Sequence, residues 1–468
     1  MIKNKTLRSI FEVTASNITT IIAGIVVGFI IPKILSLEDY GYYKTFTLYT
    51  TYIGLFSLGI ADGIVLKYGG KDYEELDKKT FRSYFKWYLL VIALFVIVMF
   101  IIGGVLLHND AQFLLIALGV EIIGANGVGY FQQISQITQR FKEFSMRKIL
   151  QSVCNIVVVG ILFLLYHFRG EVHYQIYITF LLIVNTMLTL WYLLTYKDIV
   201  FGESKSLGET KSEILSLIKN GFPLLWANLC STLIFSLDRL FVNILFDNLT
   251  YAVYAFAYSM LSLVTVATSA IGTVLYPKLK RTKNETLKDN YPLFSSVILI
   301  FVFAAMAVYF PLEMFINWYL PNYTGSLIIF RVVFPGLSIS SLITVIIHNY
   351  YKVLGVNFLY FKKSIVVLII STVTNAIAYA IFKTTISISA ASILTMIIWY
   401  LYVEQYLVKL FNVKRRENLI YMVIMTLGFY VISAINKNII GFFLYVVLFT
   451  LVTIIIKKRF LLSLKKLL

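Results

Sequence analysis

The sequence predicts an all-α polytopic membrane protein with about fourteen transmembrane helices. Three observations lead there. Mean hydropathy is +0.83, with 59% hydrophobic and 14% charged residues, a balance that soluble globular chains do not show. Apolar runs recur that are long enough for a hydrocarbon core of about 30 Å, which takes ~20 residues per helix. The ten-residue alternating segments of a membrane β-barrel do not occur.

In chain order the expected spans lie near 10–31, 44–66, 84–107, 111–137, 148–166 and 174–196. A second series follows near 220–246, 251–277, 291–310, 326–351, 364–382 and 386–408, then a final pair near 419–435 and 438–456. The division this suggests is an N-terminal lobe over 1–196, a cytoplasmic linker over 197–219 and a C-terminal lobe over 220–408. Residues 409–468 add two helices and a basic tail. The linker "GESKSLGETKSEILSLIKN" reads as an interfacial helix joining the halves.

Lys and Arg set the orientation, because cytoplasmic loops retain positive charge. With the N-terminus inside, the even-numbered loops and the tail collect most of the 41 basic residues. They include Lys78, Lys79 and Arg82, then Arg140, Lys142, Arg147 and Lys148, and later Lys414, Arg415 and Arg416. The odd-numbered loops hold only Lys33, Arg169, Lys383 and Lys437. Both termini are therefore expected in the cytoplasm. The same distribution accounts for the +18 net charge without nucleic acid, since no aromatic-interleaved basic domain is present.

Several classes fall away. The first span follows "MIKNKTLR" without a small-residue cleavage pattern, so it is expected to stay in the membrane. Cys154 and Cys230 sit inside spans and read as small apolar residues. No Gly-Lys phosphate loop, metal-spaced His/Cys set or Ser/His/Asp grouping appears, and the outer loops are only a few residues long. An enzyme is not expected, nor a metal or cofactor.

Shifting the chain by 211 residues lays the first two spans on the seventh and eighth without a gap. Asn17 meets Asn228, Tyr40 meets Tyr251, Tyr43 meets Tyr254, Ile60 meets Ile271 and Lys67 meets Lys278. Six spans separate the copies, so they share one orientation, as in transporters built from parallel repeats.

These four helices also carry polar faces. In the seventh, Asn228, Thr232, Ser236, Arg239 and Asn243 fall on one side at helical spacing, with Asp238 adjacent. The eighth has a stripe of Tyr254, Tyr258, Ser262, Thr265, Ser269, Gly272 and Tyr276. The first carries Asn17, Thr20, Gly24 and Gly28, and the second Tyr43, Thr47, Thr51 and Gly54. A membrane-embedded Arg costs at least ~2.5–3.5 kcal/mol, so Arg239 needs water or a counter-charge, and a central aqueous cavity supplies the first. Glu121, mid-span in the fourth helix, reads either as a protonatable coupling site or as the partner of a cation. Glu12, Asp62 and Glu404 lie near cytoplasmic ends, where reaching the interface is cheap.

With these residues in view, the chain resembles a known family. "PKILSLEDYGYY" after the first span and "GFPLLWANLCSTLIFSLDRLFV" leading to "YAVYAFAYSML" and "YPKLKR" look like the bacterial polysaccharide flippases of the Wzx type. Those belong to the multidrug/oligosaccharidyl-lipid/polysaccharide exporter superfamily. The resemblance implies a V-shaped monomer of two six-helix lobes plus two C-terminal helices in the bacterial cytoplasmic membrane. It implies alternating access for an undecaprenyl-pyrophosphate oligosaccharide, coupling to an H⁺ or Na⁺ gradient, and O-antigen or capsule polymerase and glycosyltransferases as pathway partners. It places Asp238 as the restraint on an empty Arg239, with Asn, Ser, Thr and Tyr side chains on sugar hydroxyls. Lipid II flippases of this superfamily carry several cavity cations, and here Arg239 alone reads as deep, which disfavours a peptidoglycan precursor. A cation-coupled multidrug antiporter would usually have twelve spans and acidic cavity residues, and a scaffold or polymerase would leave the polar stripes unexplained.

Overall fold

The computed structural model describes residues 2–280, 282, 284–436 and 438–458, and every span is an α-helix. Among the described residues twelve helices are long and apolar enough to cross a membrane, and two sharply bent pairs bring the total to as many as fourteen. The all-α multi-pass architecture expected from hydropathy is therefore what the chain forms. Two compact units divide it between Leu233 and Ile234.

The first unit contains α1 (Ile2–Ile34), α2 (Leu37–Thr50), α3 (Ile60–Tyr68), α4 (Lys78–Leu106), α5 (Asn109–Ile137), α6 (Phe141–Arg169) and α7 (Tyr174–Thr195). After the short α8 (Lys197–Val200), it also takes in the first part of α9 (Leu207–Leu245). Helix α1 lies along α6, while α5 is the central post, packed on α4, α7, α2 and α3. The linker is tied to the base of α4: Arg82 donates to the carbonyls of Asp198 and Glu203 at 2.8 Å each, and Ser83 donates to the Lys205 carbonyl at 2.8 Å. From Leu207 onward the expected interfacial helix is continuous with the seventh span.

The second span is broken. Between α2 and α3 a short 3₁₀ turn over Ile53–Ser57 ends at Leu58 (φ 49°) and Gly59 (φ 78°), and the two halves bend by 59°. Its repeat partner α10 (Asn248–Lys280) runs straight through the corresponding positions. Gly59 takes positive φ without strain and so permits the break, whereas the aligned residue in the second copy is Ala270. Elsewhere the repeat is in register to the residue: 34 and 245 end α1 and α9, and 37 and 248 begin α2 and α10.

A helix broken in lipid must find new partners for its freed backbone groups. Asn126 of α5 supplies one, its amide donating to the Ile53 carbonyl at 3.2 Å, while Tyr88 of α4 donates to the Asn126 carbonyl at 2.9 Å. Asn126→Leu keeps the branching and number of side-chain heavy atoms and leaves that carbonyl unpaired, at an expected cost of about 1–3 kcal/mol. Thermal unfolding in detergent should show a lowered midpoint, and an unchanged midpoint would mean that the break is held by other contacts.

The second unit holds the rest of α9, α10, α11 (Asn284–Ala305) and α12 (Tyr309–Tyr319). It continues with α13 (Ser326–Val333), α14 (Gly336–Ser341), a π-helical segment Leu342–Ile347, α15 (His348–Val353), α16 (Asn357–Phe382) and α17 (Thr385–Phe411). The tenth span bends by 47° where Pro335 interrupts the hydrogen-bond ladder between α13 and α14. Asn349 pins the π-helical turn beside it, donating to the Val345 and Gly272 carbonyls at 2.9 and 3.2 Å. The last pair, α18 (Arg416–Ile435) and α19 (Ile439–Ile456), docks on this unit through Tyr445, which donates to the Phe303 carbonyl at 2.7 Å, and through buried Lys457, which donates to the Ser296 hydroxyl of α11 at 3.2 Å and joins α18 by pairing with Glu417 at 3.0 Å.

Candidate functional site

In the C-terminal unit the polar centre is built around Asp238, whose side chain is 1% exposed. Its Oδ2 accepts from the Tyr254 hydroxyl at 2.8 Å and also from the Tyr258 hydroxyl. Its Oδ1 accepts the Arg239 backbone N–H at 2.7 Å. Ser389 of α17 reaches the Tyr254 hydroxyl at 3.2 Å, so one carboxylate ties α9, α10 and α17 together. The two tyrosines are four residues apart on α10, one turn, which is why both reach the same oxygen.

Arg239 turns the other way. Its Nη2 donates to the Phe235 carbonyl at 2.8 Å, and its Cζ lies 4.8 Å from the centre of the Tyr258 ring. Its Nε has no hydrogen-bond partner among the described residues. The direct restraint of Arg239 by Asp238 expected from their adjacency is therefore not what forms. Neighbouring residues on a helix point about 100° apart, so their side chains do not face each other. Tyr258 joins them instead, its hydroxyl on the acid and its ring face toward the cation. What results is a half-buried guanidinium, oriented from one side by Phe235 and Tyr258. That is the arrangement an oxyanion ligand uses.

The remaining residues proposed from the sequence are scattered in exposure. Asn228 is exposed, Thr232 and Asn243 are half-buried, and Ser236 is buried. Thr232 donates back to the Asn228 carbonyl at 3.0 Å. Tyr43 is enclosed in the first unit, its ring 4.7 Å from that of Tyr177 with the Lys44 ammonium 5.0 Å from its centre. Tyr254 is equally enclosed, so it serves Asp238 and presents no surface. Ser262 and Thr265 are exposed and half-buried respectively, and the side chains of Ser269 and Tyr276 lie outside the described residues.

The first unit holds two polar groupings of its own. Asn17 of α1 accepts from Lys148 of α6 at 2.8 Å, and Thr20 and Ser152 lie 3.2 Å apart on the same pair of helices. Sequence reasoning placed Lys148 in a cytoplasmic loop, yet it sits about two turns inside α6 and is half-buried. Polar residues at 148, 151 and 152 mark one helix face, and that spacing was the signal available. Arg239 is therefore not the one deep cation, and the sequence argument against a lipid II substrate loses its ground. The second grouping is Glu121, which accepts from Asn185 of α7 at 2.6 Å, while Asn185 accepts from Gln151 of α6 at 3.0 Å.

Glu404 also departs from expectation. It does not reach toward the interface but is 1% exposed, its Oε1 accepting from Tyr400 at 2.7 Å and Tyr291 at 3.1 Å. Hydropathy cannot see such partners on other helices. Among the described residues no group of three or more His, Cys, Asp and Glu side chains gathers as metal ligands.

The fold and these buried polar centres define a multi-pass all-α membrane protein with a cation and an acid held inside its helices. Residues 6–283, more than half of the chain, match the family described as polysaccharide biosynthesis protein, and the chain belongs to that family. No curated protein matches it. Among solved structures it is similar to a lipid II flippase, MurJ, in an inward closed conformation: TM-score 0.70 and 17% identity over 98% of this chain and 99% of that one. An inward-facing multidrug resistance MATE family transporter of the MOP superfamily gives TM-score 0.58 and 14% identity, covering 85% of this chain and 96% of the other. An outward-facing member described in the same words gives 0.51 and 13%, covering 86% and 96%. At these identities the likeness shows a shared fold.

Proposed function

We propose that this protein is a flippase that carries an undecaprenyl-pyrophosphate-linked oligosaccharide from the inner to the outer leaflet of the bacterial cytoplasmic membrane. It works by alternating access, as one step in building a surface polysaccharide such as O-antigen or capsule, and both its termini lie in the cytoplasm. The observation that carries the reading is the half-buried Arg239 guanidinium, held on one side by Phe235 and Tyr258. A permanently charged planar donor suits a pyrophosphate, which offers several oxyanions at fixed spacing. Lys148, held by Asn17, supplies a second cation in the first unit. Membership of the polysaccharide family and the likeness to a lipid II flippase support the same reading. No reaction is assigned to the chain: moving a lipid headgroup needs binding and a change of access, without covalent chemistry. The polyprenyl tail stays in the bilayer while the headgroup passes.

The likeness to multidrug transporters supports a second reading, a cation-coupled antiporter. One experiment separates the two. Purified protein in vesicles is given a labelled polyprenyl-pyrophosphate oligosaccharide, lipid II or a cationic dye, each confined to one side. Appearance of the oligosaccharide to a glycosidase on the far side is the expected result. Movement of lipid II in its place would shift the substrate to a peptidoglycan precursor, and movement of the dye alone would establish the antiporter.

A further inference from the structure

We propose that Glu121 is a proton-binding site at the centre of the first unit, and that its protonation state is read by α5, α6 and α7 together. Glu121 is 6% exposed, inside a span whose neighbours are mostly apolar. One carboxyl oxygen, Oε1, accepts from Asn185 at 2.6 Å. The other, Oε2, is buried and without a hydrogen-bond partner among the described residues. A charged carboxylate in this setting leaves half its charge unsolvated, whereas the protonated form leaves only a neutral hydroxyl unpaired. The site therefore favours the neutral form and becomes expensive when the proton leaves.

The surroundings select a proton over a metal ion. Hard cations such as Na⁺ take several oxygen ligands. Asn185 turns its amide N–H toward Glu121, because its own oxygen is occupied by the Gln151 amide at 3.0 Å. The face presented to the carboxyl is therefore a donor. Nor is any cation paired with it among the described residues. The helices packed on α5 carry Lys44, over the Tyr40 and Tyr43 rings; Asp62; Tyr88, on the Asn126 carbonyl; Lys148, on Asn17; Arg147, on Thr195; and Tyr177, against Tyr43. None of these is a hydrogen-bond or ion-pair partner of Glu121 among the described contacts.

The chain Glu121–Asn185–Gln151 gives the site a mechanical consequence. It crosses three helices, and it adjoins two close contacts between α5 and α7. A Cβ on Gly124 would lie 3.1 Å from that of Asn185, and Thr189 donates to the Gly124 carbonyl at 2.9 Å. Deprotonation leaves the amide donor but adds a charge that must reach water or a cation, and α7 or α6 has to give way for either. On the same helix face as Gln151 sit Lys148 and Ser152, which hold α1 through Asn17 and Thr20. A proton at Glu121 thus bears on α6, the helix that carries Lys148.

The transport arm of the test rests on the flippase reading, but the binding arm does not. Infrared difference spectra of purified full-length protein across a pH titration should show the carbonyl band of a buried protonated carboxyl, lost in E121Q. E121Q should melt with the wild-type protein, since a glutamine oxygen still accepts from Asn185. In vesicles, an imposed pH gradient of about one unit should change wild-type flipping by up to about tenfold per coupled proton, and E121Q should lose that response. A band left undiminished in E121Q, or one whose Glu121 component answers to Na⁺ and not to pH, overturns the proposal. If E121Q does not accumulate, Glu121→Asp decides: a displaced titration midpoint supports the assignment, and an unmoved one overturns it. A wild-type protein that shows the band but flips no oligosaccharide would count against the transport reading alone.

Discussion

Arg239→Ala is expected to cut movement of the proposed lipid-linked oligosaccharide severely, without abolishing it, while folded protein still accumulates in the membrane. The guanidinium makes one backbone bond, to the Phe235 carbonyl, and lies over one ring, so truncating it removes little that holds the fold. A charge-assisted bond to the pyrophosphate is worth about 1.5–3 kcal/mol, which sets the expected loss of transport at roughly 10- to 150-fold. Arg239→Lys keeps the charge and loses the planar fork, so it should fall between the two. Asp238 behaves differently because its oxygens serve Tyr254 and Tyr258. Asp238→Asn replaces one acceptor with a donor facing two hydroxyls, so both stability and transport should suffer. Tyr258→Phe removes a hydroxyl but keeps the ring under Arg239, and should lower the melting temperature more than it lowers transport per folded molecule. The deciding comparison is Arg239→Gln. If Arg239 serves packing alone, that neutral variant should transport nearly as well as wild type, and surface polymer at wild-type level per folded molecule would remove Arg239 from the substrate path.

Why the spans were legible and the Asp238 cluster was not has a physical basis. A bilayer crossing requires a long apolar run whatever it packs against, so hydropathy finds it from local sequence. The 211-residue repeat was legible for the same reason, since helix lengths and turns are local properties. The break in the second span was hidden because Gly54 and Gly59 look like any small residues in a membrane helix. What marks the break is the pairing of the freed Ile53 carbonyl with Asn126, more than seventy positions away in the chain and invisible in either segment alone. Asp238 and Arg239 were read as partners because they are adjacent, although adjacency on a helix separates side chains. Lys148 was misplaced by the very rule that gave the orientation. Counting positive charge by loop absorbs a cation near a helix start, whether it faces the cytoplasm or a polar residue on the next helix.

Gly221→Ala is expected to damage the fold severely, although alanine is the better helix former. A Cβ at Gly221 would lie 2.0 Å from the Gly59 carbonyl oxygen and 2.4 Å from the Gly63 nitrogen. Gly63 is closed from the other side, where a Cβ would lie 2.3 Å from the Leu217 carbonyl oxygen. These neighbours are backbone atoms of α3 and of the turn before it, so no side chain can swing aside to make room. Alanine gains about 1 kcal/mol of helix propensity over glycine. Ordinary overpacking, where side chains can shift, costs about 1–3 kcal/mol. Here two backbones must separate along the contact that fixes the start of α9 to the broken second span, so the loss should exceed that range. The control is Gly160→Ala in α6, where nothing lies within 4 Å of the added carbon and propensity alone acts. Measured side by side in detergent, Gly160→Ala should melt at or slightly above the wild-type temperature, and Gly221→Ala well below it or not accumulate. If Gly221→Ala accumulates and melts with the wild type, α3 and α9 do not meet backbone to backbone, and the first part of α9 is not held in the N-terminal unit by this contact.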